Sequence, residues 1–192
     1  MEKYTTNRSA QLAVKLSALF RLESDMDTIL SVSMYEINKY MGAERSSIFL
    51  LDPLKQQLTS YSSLDLAKQE ICMSKSTGVA GWVLENRMAA VINDAYSDSR
   101  FFRGVDDMTG FRTRNLICCP LIDDDENCFG TLQALNLKSG KFKIDNLELL
   151  SDAAWLLAGA INKSDRYDEM ITTHTAHNEL RKGMTTALAM AQ

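Results

Sequence analysis

Two apolar runs, "RNLICCPLI" (114–122) and "CFGTLQALNLK" (128–138), are separated by nothing more than the acidic turn "DDDEN" (123–127). A link that short cannot make a parallel crossover, so the two runs must pair antiparallel. The same logic applies upstream. "RSSIFLLD" (45–52) carries β-branched and aromatic residues, "DPLKQQ" (52–57) reads as a turn, and "LTSYSS" (58–63) returns as the partner strand. "EICMS" (70–74) and "MAAVIN" (88–93) supply further short strands.

Helical periodicity frames this strand-rich middle. Residues 9–22 predict a helix with Leu12, Leu16, Leu19 and Phe20 on one face. Asp25 or Asp27 caps a second helix, whose apolar face collects Ile29, Leu30, Ile37, Tyr40 and Met41 and which ends at Gly42. "STGVAGWVLEN" (76–86) reads as a tight turn feeding a short helix. Positions 147–161 define a final long helix that runs on into the polar stretch after residue 165. The expected organisation is an N-terminal helix or linker over 1–24, one α+β domain over 25–165, and a C-terminal helical extension over 166–192. Helices pack on a largely antiparallel sheet. An extension that overruns the domain points to an output domain or a dimer partner.

Composition narrows the function classes. A net charge of -4 and a pI near 5.2 argue against binding nucleic acid by phosphate neutralisation. No stretch reaches the ~18–20 apolar residues needed to cross a bilayer, and the polar first nine residues read as a helix start rather than a signal peptide. Cys72, Cys118, Cys119 and Cys128 contain no C-x-x-C spacing, which argues against a zinc site. Cys118 and Cys119 are adjacent on a strand and point to opposite faces, so they read as reduced thiols of a cytoplasmic protein.

The usual equipment of an enzyme is also missing. His174 and His177 are the sole histidines and lie in the polar tail, which removes Ser-His-Asp and Cys-His catalysis from the domain. No phosphate-binding or dinucleotide glycine loop of the standard kinds occurs. Binding chemistry is better represented. "TGVAG" (77–81) opens a helix, where free backbone N–H groups and the positive dipole end suit a phosphate. Phe101 and Phe102 offer π faces, and Asp106, Thr109 and Thr113 offer acceptors and hydroxyls.

Taken in order, "ERSSIFLLD" (44–52), "GVAGWV" (78–83), "INDAYSDSRFFRGVDDMTGFRTRNLICCPL" (92–121) and "GTLQALN" (130–136) resemble a GAF domain. More narrowly, they resemble the cyclic-nucleotide-binding GAF domains of multi-domain phosphodiesterases and cyanobacterial adenylyl cyclases. The resemblance implies a six-stranded antiparallel sheet with helices on both faces and a ligand buried under a lid. By position it implies Ser47 at the purine end, Val79 and Ala80 donating backbone N–H groups to the cyclic phosphate, and Phe102 against the nucleotide. Asp106, Thr109 and Thr113 would contact ribose and phosphate from the lid, and Gln133 would contact the ligand from the floor. Asn136 and Phe142 match a supporting motif, in which Leu137 and Asn146 stand where the family carries an ion pair; Lys138 with Asp145 is the displaced substitute. Leu64 falls where some members carry the acidic reader of guanine, which favours cAMP over cGMP.

The resemblance therefore implies a regulatory sensor domain without a catalytic role, metal or cofactor. It would bind cAMP or cGMP and relay the signal through terminal helices as a cytoplasmic homodimer. The alternative is a GAF dimerisation or relay module that binds no ligand. A methionine sulfoxide reductase is a third class, disfavoured by the arrangement of the cysteines.

Overall fold

A computed structural model describes residues 2–23, 25–62 and 71–162. Residues 1–160 form one compact unit and residues 161–192 a second, of which Ile161 and Asn162 are described. The helical extension expected over 166–192, both histidines and Leu64 lie outside the described residues.

The first helix, α1 (Glu2–Leu22), begins seven residues before the periodic stretch that predicts it. Its apolar face is as expected, with Leu12 and Leu16 buried. The next helix, α2 (Met26–Met41), starts at Asp25, whose carboxylate accepts the Thr28 N–H at 2.9 Å, so Asp25 rather than Asp27 is the cap. It stops at Gly42, in the left-handed region at φ 70°, whose N–H returns to the Asn38 carbonyl.

Strands β1 (Ala43–Asp52), β2 (Gln57–Ser62), β3 (Cys72–Ser74), β4 (Ala90–Ile92), β5 (Leu116–Ile122) and β6 (Cys128–Leu137) form one antiparallel sheet in the order β3-β2-β1-β6-β5-β4. Asp52 makes the β1–β2 turn by accepting the N–H groups of Leu54 and Lys55, each at 2.9 Å. Asp123 does the same for the β5–β6 turn, accepting from Asp125 and Asn127. The acidic run is thus turn chemistry.

Alternation along the strands assigns the two sheet faces. On one face, buried Ser46 donates to the Met34 carbonyl of α2, and Cys119 lies 3.5 Å from Ser151 of α5 (Ile144–Ile161). α1 joins this layer through α2 and through a contact between Ser9 and Asp152. On the other face lies α3 (Gly78–Asn86). Its Val79 and Val83 cluster with Leu116 and Cys118, while its Ala80 and Leu84 cluster with Phe49 and Leu58. Cys118 and Cys119 do face opposite layers, and both are free thiols.

The glycines of "GVAG" have separate steric causes. Gly78 has φ 72°, a conformation that side chains of L-residues rarely adopt. Gly81 lets α3 touch the turn before it, because a Cβ there would sit 2.5 Å from the Ser76 carbonyl carbon. Gly81→Ala must displace backbone, and is expected to cost on the order of 1–3 kcal/mol in urea unfolding. A loss below about 0.5 kcal/mol would show that the approach is not needed.

Candidate ligand-binding site

On the α3 face, the register sets the floor of a cavity. Ser47 lies opposite Gln133, which in turn lies opposite Cys118; Arg45 lies opposite Leu135, and Leu135 opposite Leu116. The amino-terminal end of α3 forms one wall. A lid closes over the rest: it descends from β4 through a short 3-10 turn (Ala95–Ser97) to α4 (Gly104–Thr109) and then into β5. The cavity is open at its mouth and holds about 620 Å³ of free space, open solvent included.

All eight residues nominated as ligand contacts line this one cavity: Ser47, Val79, Ala80, Phe102, Asp106, Thr109, Thr113 and Gln133. Asn136 and Phe142 do not line it. Ser47 and Gln133 are 7% and 9% exposed, so these two polar side chains are buried against the free space. The α3 amino terminus adds backbone donors. Thr77 makes no side-chain capping bond, and the N–H groups of Gly78, Val79 and Ala80 have no acceptor within the helix.

The lid's polar groups are already engaged with one another. The Asp106 carboxylate is 6% exposed and accepts three bonds: from Tyr96 Oη at 2.9 Å, Thr113 N at 2.7 Å and Thr113 Oγ1 at 2.8 Å. The hydrogen bond that the Tyr96 phenol donates to this carboxylate raises the phenol's pKa, because ionisation would lose the bond, and burial and the carboxylate's charge add to the shift. Thr109 Oγ1 donates to the Val105 carbonyl at 2.8 Å and accepts from Phe111 N at 3.3 Å. The Tyr96 ring is held against the guanidinium groups of Arg103 and Arg112, at 4.9 and 4.6 Å, and against Phe101 at 5.3 Å. Phe102 is 46% exposed, with its ring against the Gly104 Cα, where a Cβ would come within 2.5 Å of it.

Where the lid rejoins the sheet, a network forms around Asn136. Asn136 has φ 55°, which turns its side chain back across the strand ends. Its Oδ1 accepts Arg114 N at 2.7 Å, and its Nδ2 donates to the Arg112 carbonyl and to Glu44 Oε2, each at 2.9 Å. Glu44 Oε1 pairs with Arg114 Nη2 at 2.7 Å, and bonding from Arg114 and Asn136 lowers the Glu44 pKa. Among the described residues no ion pair joins Lys138 to Asp145. Asn146 instead accepts Lys143 N at the start of α5, and Phe142 is buried with its backbone bonded to the Asn93 amide.

Sequence reasoning did not nominate Arg45, Phe49, Ile71, Met73, Gly78, Val105, Phe111, Leu116 or Leu135, all of which line the cavity. Strand alternation from Ser47 would have found Arg45 and Phe49. Redox chemistry is poorly served by the two buried thiols. Burial raises the pKa of Cys118 strongly and that of Cys119 to about 11, which keeps both protonated and weakly nucleophilic. Among the described residues no cluster suited to a metal ion occurs.

Residues 25–161 match the family model described as "GAF domain". The chain belongs to the GAF family. GAF domains are regulatory small-molecule sensors, and this one carries its cavity on the lid side of the sheet. It is 30% identical over 135 residues to dual 3',5'-cyclic-AMP and -GMP phosphodiesterase 11 of Drosophila melanogaster, covering 62% of this chain and 9% of that protein. It is 25% identical over 185 residues to phosphodiesterase 11A of Takifugu rubripes, covering 85% of this chain and 20% of that protein. The chain thus spans a fifth or less of these relatives.

Among solved structures, the GAF domain of a Coxiella burnetii phosphoenolpyruvate-protein phosphotransferase aligns with TM-score 0.72 at 15% identity, over 84% of this chain and 97% of that one. A free methionine-R-sulfoxide reductase from Neisseria meningitidis aligns with TM-score 0.68 at 18% identity, over 83% and 91%. At such identities the likeness is one of fold.

Two outcomes check this geometry. Asp106→Ala strands the Thr113 N–H and two hydroxyls, and is expected to lose on the order of 2–3 kcal/mol and to speed hydrogen exchange across 103–113. Unchanged exchange there would overturn the latch. Glu44 has a depressed folded pKa, so its contribution is present above the ordinary value of 4.5 and is lost as pH falls through the lower folded value. Its partial exposure limits the effect to about 1 kcal/mol or less. Glu44→Gln should remove that part of the acid sensitivity, read as a smaller loss of stability on acidification below the ordinary value of 4.5.

Proposed function

We propose that this GAF domain binds a cyclic nucleotide and acts as the regulatory input of a larger signalling protein. The observation that carries the reading is the convergence of all eight nominated contacts on one cavity. They arrive there from β1, the α3 start, the lid and β6. The donor set suits the ligand. Uncommitted N–H groups at the α3 start match a cyclic phosphate, Ser47 and Gln133 match hydrogen-bonding edges, and Phe101 and Phe102 match a purine face. The relation to dual-specificity cyclic-nucleotide phosphodiesterases supports the same ligand class.

Binding would exchange some of the lid's internal bonds for bonds to ligand. Within this reading cAMP is the favoured nucleotide on the basis of Leu64. Signal would leave through the terminal helices of a cytoplasmic homodimer, and no cofactor takes part. One observation favours the second reading, a relay module without ligand: the Asp106 latch is complete by itself.

Thermal unfolding of the whole chain with cAMP and with cGMP at ~1 mM separates the two. At a hundredfold excess over Kd a ligand adds about 2.7 kcal/mol, a rise of several degrees. A rise with either nucleotide supports the sensor, and a larger rise with cAMP supports its preference. No shift with either leaves the relay module.

A further inference from the structure

We propose that Trp155 and Gly159 of α5 form a self-complementary docking face for a second copy of this chain, the indole of each copy seated over the glycine of the other; the proposal rests on the homodimer reading above.

α5 turns Leu149, Leu150, Ala153 and Leu157 inward and leaves Glu148, Asp152, Trp155 and Gly159 exposed. Steps of four, three and four residues put the exposed set on one helical face. Trp155, 73% exposed, is the most exposed aromatic residue among those described. An indole left in water forfeits one of the largest apolar burials a side chain can make. A single exposed apolar residue is common on protein surfaces. What sets this one apart is the residue one turn further on.

Gly159 alone among the described glycines has neither a left-handed φ nor a neighbour that a Cβ would meet within 4 Å. It is not a helix stop, because α5 continues to Ile161. Glycine inside a helix destabilises it relative to alanine, and nothing within the chain requires glycine here. Its missing side chain lowers the helix surface, so a flat ring or a second helix can come close.

A projection and a hollow one turn apart on one face are complementary to their own copy. A two-fold axis midway between them sets Trp155 over Gly159 in both directions, and the contact closes on itself as a dimer. Charge selects the direction. Glu148 and Asp152 precede Trp155 on the same exposed face. Antiparallel helices carry these carboxylates to opposite ends, whereas parallel helices would set like charges side by side. Two indoles bury about 300–500 Å² of the ~1,200 Å² typical of a stable interface, so the dimer is expected to dissociate on dilution.

The test is analytical ultracentrifugation of the whole chain over a dilution series, as wild type, Trp155→Ala and Gly159→Leu. Trp155→Ala is expected to weaken dimerisation by at least about tenfold. Gly159→Leu is expected to weaken it as much, although it enlarges the apolar surface and replaces glycine by a good helix former. Contact through a general apolar patch would instead be strengthened by that leucine. Melting curves of the variants confirm that they fold. A wild-type dimer that neither substitution weakens, or one that Gly159→Leu tightens, would overturn this docking face and leave the homodimer reading intact. A wild type that stays monomeric throughout would overturn both.

Discussion

The β1–β6–β5 register is the constraint on which the rest of the site depends. Ser47, Gln133 and Cys118 stand side by side, as do Arg45, Leu135 and Leu116. Because side chains alternate with a period of two, a slip of one residue in β1 would turn Ser46, Ile48 and Leu50 towards the lid and bury Arg45 against α2. Burial makes such a slip costly. Ile48 and Leu50 are fully buried on the helical side, and Ser46 is fixed there by its bond to Met34. The polar floor of the cavity is thus held in place by apolar packing on the opposite face of the same strand.

A second constraint fixes the lid. Asp106 gathers donors from Tyr96 and Thr113, residues on either side of it in the chain, and so closes the connection into a loop around one carboxylate. Asn136 and Glu44 then bind the end of that loop to the sheet through Arg114. A buried carboxylate with three good donors is stable only while all three remain. Any ligand that takes one of these donors must replace it, which makes occupancy and lid position thermodynamically inseparable.

Much of this was legible in the sequence, for local reasons. Short acidic turns, the Asp25 cap and the Gly42 stop are decided by residues within a few positions of one another. The cavity's nominated residues were legible through family resemblance and not through periodicity. What escaped the sequence was long-range pairing. Nothing near Asn136 announces that its backbone turns left-handed to reach Glu44, 92 residues away. Nor does "AERSS" reveal that Arg45 stacks on Phe111. The α1 start was missed because its first turns are polar, and amphipathic periodicity marks only helical turns with an apolar side to bury.

Neighbouring residues on single strands link the cavity to the helical layer. Ser47 faces the cavity and Ser46 holds α2; Cys118 faces α3 and Cys119 touches Ser151 of α5. A strand that shifts to accommodate a ligand cannot move one of each pair without the other. Close packing on both faces leaves little slack to absorb such a shift. α2 and α5 are therefore coupled to the cavity through the thickness of one sheet. That coupling needs no contact between these helices and the contents of the cavity.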